Sequence, residues 1–536
     1  MHKKDHKMTD ETLLTPEEKA HIAVLSEAIA EIAEVNRLQK PNSTSMCPRY
    51  HLVAPCGWMG SAPSVVWFNG QYHAYYSFSP FALTAGDLYI GHSVSNDLLR
   101  WEHKDPILAP EAKFDNHGCR GPFAVVFNNM VFLYYTGMIE LEHKGETHYL
   151  ENVCLASSGD GETFQKLGAV ISPFGGTTYI GDPIVWKEGG FWYMTLAIQR
   201  QDQVGDHVRS SVALYRSYTL YEWDYMTTLL TEKKADAEQW TAPQIFSVGD
   251  ATFMALTQLT PLETTVYPDT KHITPDGQES VIPGDTVTAL PPHENLHRTV
   301  TFAGEISLTD GFKRTGDAVK LDIGSDMLLP RIFDAPDGRK ILLGWANMWG
   351  DAQPTIFFGF AGSWTLPREV ELVNGQLHQK PIVELEQYRV TGTMYDALTL
   401  TDSHTALTDD NPSFDFELVF DLDATSAETF GFSIGAGYKL EFEVSENNEL
   451  ELTVFSQRNY YQEGLDDTRA LTITRGSQLK IYGVFDRSLV ELFIDGLAMP
   501  LTARIMPGIS DRRIYLYSMG GTLQLASAHH NALSSF

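Results

Sequence analysis

Four short stretches hold the side chains best placed to do chemistry: Ser61-Ala62, Arg120-Gly121, Gly181-Asp182 and Thr241-Ala242. Each stands immediately before a proline. Asp182 is the only carboxylate among them. A lone buried carboxylate has two ordinary uses: it binds a pair of ligand hydroxyls, or it pairs with a neighbouring cation, for which Arg120 is the candidate. An arginine in such a place fills the space that a ligand needs, so Arg120 reads as a pocket plug. Ser61 as a nucleophile requires a histidine base and an oxyanion site, and the sequence has no serine-centred elbow. Trp58, Tyr89, Trp345 and Trp349 either offer stacking faces to a ligand or belong to the core. No Asp or Glu occurs between Glu34 and Asp87, so the first of the four stretches has no acid in reach.

What brings these residues together is a repeat. Pro63, Pro122, Pro183, Pro243 and Pro330 each open a short apolar run, followed by a polar turn and a second apolar run. The turns are Asn69-Gly70, Asn128-Asn129, Gly189-Gly190, Gly249-Asp250 and Asp337-Gly338, which is hairpin chemistry. Proline cannot donate to a ladder, which suits it to the start of a strand. The prolines are 59, 61, 60 and 87 residues apart. Hairpins at that period indicate radial repetition, and we read a five-bladed β-propeller with the pre-proline residues around one mouth. The longer last interval is explained by Thr260–Glu294, a polar stretch inserted in the fourth blade. Gly91 to Asp97 reads as a turn within the first.

The remainder is organised around that propeller. Residues 1–40 form a polar tail and one amphipathic helix. Thr15-Pro16-Glu17-Glu18 supplies the cap, and Ile22, Leu25, Ile29 and Ile32 form an apolar stripe. That stripe must be buried, on its own chain or on a partner. The propeller spans 41–385, a linker falls near Glu384–Gly392, and alternating segments over 393–536 predict a β-sandwich. The fold class is therefore all-β with one short N-terminal α-helix.

The chain has 536 residues and a formal charge of −30, which disfavours nucleic acid and anionic membranes as partners. No apolar run is long enough to cross a membrane. Met1 to Met8 is followed by no apolar h-region, which leads us to expect a cytoplasmic location. The four cysteines lack CxxC spacing and read as reduced structural thiols, with no metal or other cofactor expected.

Several of these segments resemble glycoside hydrolase family 32, the β-fructofuranosidases, over roughly residues 50–530. Gly57-Trp58-Met59 and Phe68-Asn69-Gly70 resemble the flanks of the W-M-N-D-P-N-G nucleophile motif. Ser93 to His103, Leu133 to Gly137, Leu343-Gly344-Trp345, Thr365 to Glu369 and Phe485 to Glu491 also fit. The resemblance implies retaining hydrolysis of fructosides, with an Asp nucleophile, a Glu acid/base and an Asp that holds sugar hydroxyls. At the nucleophile position stands Ser61 by ungapped alignment, or Ala62 counted from the proline. Thr241 stands at the acid/base position, and Glu238 would point to the opposite face of an extended strand. Asp182 keeps the third. Ser77, Ile90, Arg120 and Gly181 replace further pocket residues. The expectation is a catalytically silent homologue that acts as partner subunit of an active family 32 paralogue. The alternatives are a stand-alone module for sucrose, fructan or another fructose-containing sugar, and a hydrolase with an unorthodox site.

Overall fold

Asn-Gly, Asn-Asn and Gly-Gly turns need two successive residues in the left-handed region, and the chain adopts it at each. Asn69 and Gly70 have φ of 48° and 83°, Asn128 and Asn129 50° and 58°, and Gly189 and Gly190 55° and 86°. The computed structural model describes residues 15–39, 46–143, 145–201, 208–232, 239–259, 264–266, 270–273, 279–282, 286–288, 297–348, 354–445, 447, 449–456, 467–505 and 511–534. The five hairpins grow into five antiparallel sheets. Their innermost strands are Gly57–Phe68, Gly118–Phe127, Thr177–Glu188, Gln239–Val248 and Leu328–Asp334. Each inner strand touches the next, and the fifth touches the first, so the sheets close into a five-bladed propeller.

Polar side chains fasten the ring. Ser64 Oγ accepts from the Ala124 amide at 2.8 Å. Gln244 reaches across to blade five as a surrogate strand, donating to Ile332 O at 2.6 Å and accepting from Ile332 N at 2.9 Å. Closure comes from blade five onto blade one: Phe360–Ala361 pairs in parallel with Gly57 and Trp58, and Trp345 Nε1 donates to Met59 O at 3.0 Å.

The stretch from Gly91 to Asp97, expected as a turn, is mostly strand: Tyr89–Ser95 is the third strand of blade one. Gly91 is there for packing, since a Cβ would stand 2.4 Å from the Tyr76 ring. The Thr260–Glu294 insertion lies between the second and third strands of blade four. Its described residues form short pairs, Thr264–Val266 with Thr286–Thr288 and Thr270–Ile273 with Glu279–Ile282, rather than plain loop.

After the propeller, the segment read as a linker is ordered. Val383–Tyr388 is a 3₁₀ helix, and Arg389–Tyr395 already pairs with Thr522–Leu533 in the first sandwich sheet. The second sheet holds Thr429–Ile434 and its neighbours, and the two enclose a core that includes Phe414, Phe416, Phe432, Leu440 and Ile481. The sandwich is tied to the propeller by buried charges. Arg368, from blade five, bonds Glu491 at 2.9 Å and Asp322 at 2.9 Å, and His51 bridges Asp486 and Glu491.

The N-terminal helix, Pro16–Gln39, lies on its own propeller. Its inward side is not the full predicted stripe. Ile32 is buried, but Ile22 is 49% exposed, and Ala28 packs with Tyr89 and Ala109. His21 is drawn in as well, its Nδ1 2.7 Å from Glu111. Of the two expectations for this stripe, burial on its own chain holds for Ile32, while Ile22 stays exposed. All four cysteines are buried and free of disulfides.

Candidate functional site

Every inner strand slips in register at its proline. From Arg120 to Phe123 the strand advances three residues while its partner advances two, Thr136 to Tyr134. The same holds from Gly181 to Ile184, Thr241 to Gln244 and Leu328 to Arg331. These are β-bulges, and the pre-proline residue of each is left-handed: Gly121 at 58°, Asp182 at 52°, Ala242 at 55° and Leu329 at 50°. A bulge re-aims a side chain, and a non-glycine residue held in this region costs about 1–3 kcal/mol. Strain repeated in register around one ring marks the place where sites are built.

Blade one departs from the pattern. From Gly60 to Ser64 it advances four residues against two, Ser77 to Tyr75. One extra residue therefore sits in its bulge. That is why the two ways of counting give Ser61 or Ala62; both lie within the widened segment. Their side chains are outside the described residues, as are Glu238 and Trp349.

The bulges of blades two, three and four meet around Asp182. Its Oδ2 accepts from Tyr179 Oη at 2.6 Å, from the Ala242 amide at 3.2 Å and from Thr241 Oγ1 in a close contact. Its own amide donates to Thr136 Oγ1 at 3.2 Å. Gly121 leaves room for the carboxylate, for a Cβ there would lie 2.9 Å from Oδ1. Burial pushes the Asp182 carboxyl up. The charge of Arg120, the bonds from Thr241 and Tyr179, and the charge of Arg331 outweigh it, holding the group below the usual carboxylate range.

Arg120 does not pair with Asp182 directly, contrary to expectation. Its guanidinium bonds the Glu151 carboxylate and lies over the Tyr179 ring, 5.3 Å from the centroid. The charge of this one cation acts on both carboxylates. Burial, with Asp182 adding to it, pushes the Glu151 carboxyl above its ordinary value, and Arg120 pulls the other way. Arg331 approaches from blade five. It is 2% exposed and donates to Ala242 O at 3.2 Å.

The structure thus brings Asp182, Thr241 and Arg120 together. It does not bring the tryptophans in. Trp58 and Trp345 are 2% and 0% exposed and pack edge to face at 5.9 Å, so neither presents a ring to a ligand. Glu151, Tyr179 and Arg331 were missed. Arg331 follows the fifth proline and was within reach of the repeat. Glu151 sits on the third strand of its blade, where no pattern in the sequence distinguishes it.

Residues 51–381 match the glycosyl hydrolases family 32 N-terminal domain, and 384–532 match the family 32 C terminal domain. The chain belongs to glycosyl hydrolase family 32. Family 32 relatives include the sucrose-6-phosphate hydrolase of Escherichia coli, 30% identical over 498 residues, covering 93% of this chain and 96% of that protein. The raffinose invertase of Escherichia coli is 30% identical over 488 residues, 91% and 95% of the two chains. The fold is that of the sucrose-6-phosphate hydrolase from Lactobacillus gasseri, with a TM-score of 0.77 at 19% identity over 94% of this chain and 96% of that one. It is also that of the Bombyx mori GH32 beta-fructofuranosidase BmSUC1, with a TM-score of 0.72 at 22% identity over 95% and 98%.

Proposed function

We propose that this chain is a catalytically silent family 32 protein, serving as partner subunit of an active β-fructofuranosidase in sucrose or fructan metabolism. The observation that supports it best is the state of Asp182. One of its two oxygens, Oδ2, is taken up by Tyr179, Thr241 and the Ala242 amide, beside an Arg120 that is itself paired with Glu151. Retaining hydrolysis needs two carboxyl groups about 5–5.5 Å apart, one nucleophilic and one able to give a proton. Ser61, Ala62 and Thr241 supply neither. Asp182, with its carboxyl held low, is a poor proton donor. Losing one essential group typically costs several orders of magnitude in rate. The propeller, its closure and its charged tie to the sandwich are meanwhile all kept, which suits a chain selected for its surface and stability.

The test has two arms. Purified alone, the chain is expected to release no more fructose from sucrose, sucrose 6-phosphate or inulin than a blank. Co-expressed with an active family 32 enzyme from the same source, it is expected to co-elute on size exclusion and to alter that enzyme's turnover or stability. Fructose release that is abolished by Asp182→Asn would overturn the silence. An active enzyme that neither binds the chain nor changes with it would overturn the partnership. Calorimetry with fructose then decides whether sugar binding remains as the function.

A further inference from the structure

Away from the propeller mouth, a cavity of about 660 Å³ opens between blades three and four. Among the described residues, three cations line it, Arg298, Arg314 and Lys320, with one carboxylate, Glu232. Arg314 and Lys320 enter no ion pair among the described residues, which is unexpected on a chain with 39 basic and 69 acidic residues. The strand alternation that turns Thr241 toward Asp182 turns its neighbour Trp240 the other way, into the cavity wall. Trp240 is 2% exposed, and its indole N–H is buried with no acceptor among the described residues. A buried donor left without a partner is costly, so it points to something that accepts.

The cations are also held in place. Arg298 Nε donates to Gln258 Oε1 at 2.9 Å, which orients its guanidinium. Arg314 Cζ lies over the Phe302 ring, 3.7 Å from its centroid. Burial lowers Arg314 below the ordinary arginine value, and the charge of Glu232 offsets this only in part. The remaining walls include the apolar Leu230, Val300 and Phe312.

We propose that this cavity binds the phosphate group of a small molecule. Guanidinium forks match phosphate oxygens, and a group carrying nearly two negative charges balances Arg314 and Lys320 together. The indole N–H supplies a further donor, and the apolar walls suit the carbon skeleton that the phosphate is attached to. The volume falls within the range of small-molecule sites, roughly 300–1,000 Å³. Because Trp240 directly precedes Thr241, ligand bound here lies one residue from the Asp182 network.

Isothermal titration of the full chain with fructose 6-phosphate, inorganic phosphate and fructose tests the site. Fructose 6-phosphate is expected to saturate with a Kd below about 1 mM, and fructose to give no heat. Arg314→Gln and Lys320→Gln are each expected to weaken binding by about tenfold, and Trp240→Phe, which keeps the ring and removes the donor, by a few-fold. Circular dichroism of each variant separates lost binding from lost fold, and Lys320→Gln removes a charge from a partly exposed position. Inorganic phosphate as tight as the sugar phosphate would support a site for the group alone; much weaker phosphate would support one that also reads the sugar. The proposal fails if neither phosphate compound saturates by about 10 mM. It fails equally if affinity is unchanged in both charge variants.

Discussion

At Asp182 one oxygen serves three donors, and two of those come from another blade, so the residue is as much a joint as a site. Replacing Thr241 by valine keeps the shape and removes one donor. The carboxyl is then expected to titrate higher than in the parent, and stability to fall by about 1–3 kcal/mol in urea unfolding. An unchanged midpoint would mean that Tyr179 and the Ala242 amide suffice. Arg120→Ser is expected to cost more, because it leaves Glu151 and Asp182 facing each other without the cation between them. Measured at pH 7, that variant should be less stable than the parent, with the gap narrowing toward acid as Glu151 takes up a proton; a constant gap would argue against the charge explanation. Restoring carboxylates by Ser61→Asp with Thr241→Glu is expected to release no more fructose than the parent. The bulge of blade one is one residue longer than the others, and Arg120 keeps its pairing with Glu151. Family-like turnover by the double variant would contradict both points.

The N-terminal helix shows how an element can be read in kind and misread in aim. Apolar spacing places a stripe on Ile22, Leu25, Ile29 and Ile32, yet the contact centres on Ala28 and Ile32. Close approach to Tyr89 and Ala109 favours a small residue, which a hydrophobicity pattern scores weakly. His21 is taken inside by Glu111, and no helical period signals a histidine. Ile32→Ala is accordingly expected to destabilise by about 2–4 kcal/mol, and Ile22→Ala by under about 0.5 kcal/mol. Equal effects in thermal unfolding would undo this orientation. The blades were legible for the opposite reason. Their signals are local and repeated: a proline, an alternating run, and a turn of Asn or Gly that the backbone requires. The bulges were not, because a register slip belongs to the pair of strands rather than to either one. Nor was the partner of Arg120, since Glu151 reaches it from the third strand of its own blade through pairings that leave no mark on the chain. The strand Arg389–Tyr395 was taken for linker as far as Gly392, because only its partner, Thr522–Leu533, far along the chain, gives it a role.

On the scale of the molecule, propeller and sandwich are joined through charges that neither part can leave buried alone. His51 stands 2.9 Å from Asp486 and 3.2 Å from Glu491, all three fully buried, and Glu491 also holds Arg368. Burial alone would lower His51, but its bonds to the two carboxylates and their charges lift it to about 9. Since that lies above the unfolded value of about 6.5, the stabilisation is complete below about pH 6.5 and is lost as pH rises through about 9. The size is on the order of 3 kcal/mol. Asp486 and Glu491 behave the other way. Burial raises them, while His51, Arg368 and neighbouring donors more than compensate, so their contribution is present above the ordinary carboxylate range and is lost in acid. Stability should therefore peak between these limits and decline on the alkaline side. Urea unfolding at several pH values, followed by tryptophan fluorescence, which reports mainly on the propeller, and by far-ultraviolet dichroism, which reports on both parts, is expected to give coincident transitions. His51→Asn keeps a donor but cannot carry the charge, so its stability should be lower at pH 6 and lose less between pH 7 and 9. Were the variant to follow the parent across that range, His51 would not be the titrating group. Were the two probes to separate in the parent, the charged tie would not couple the domains.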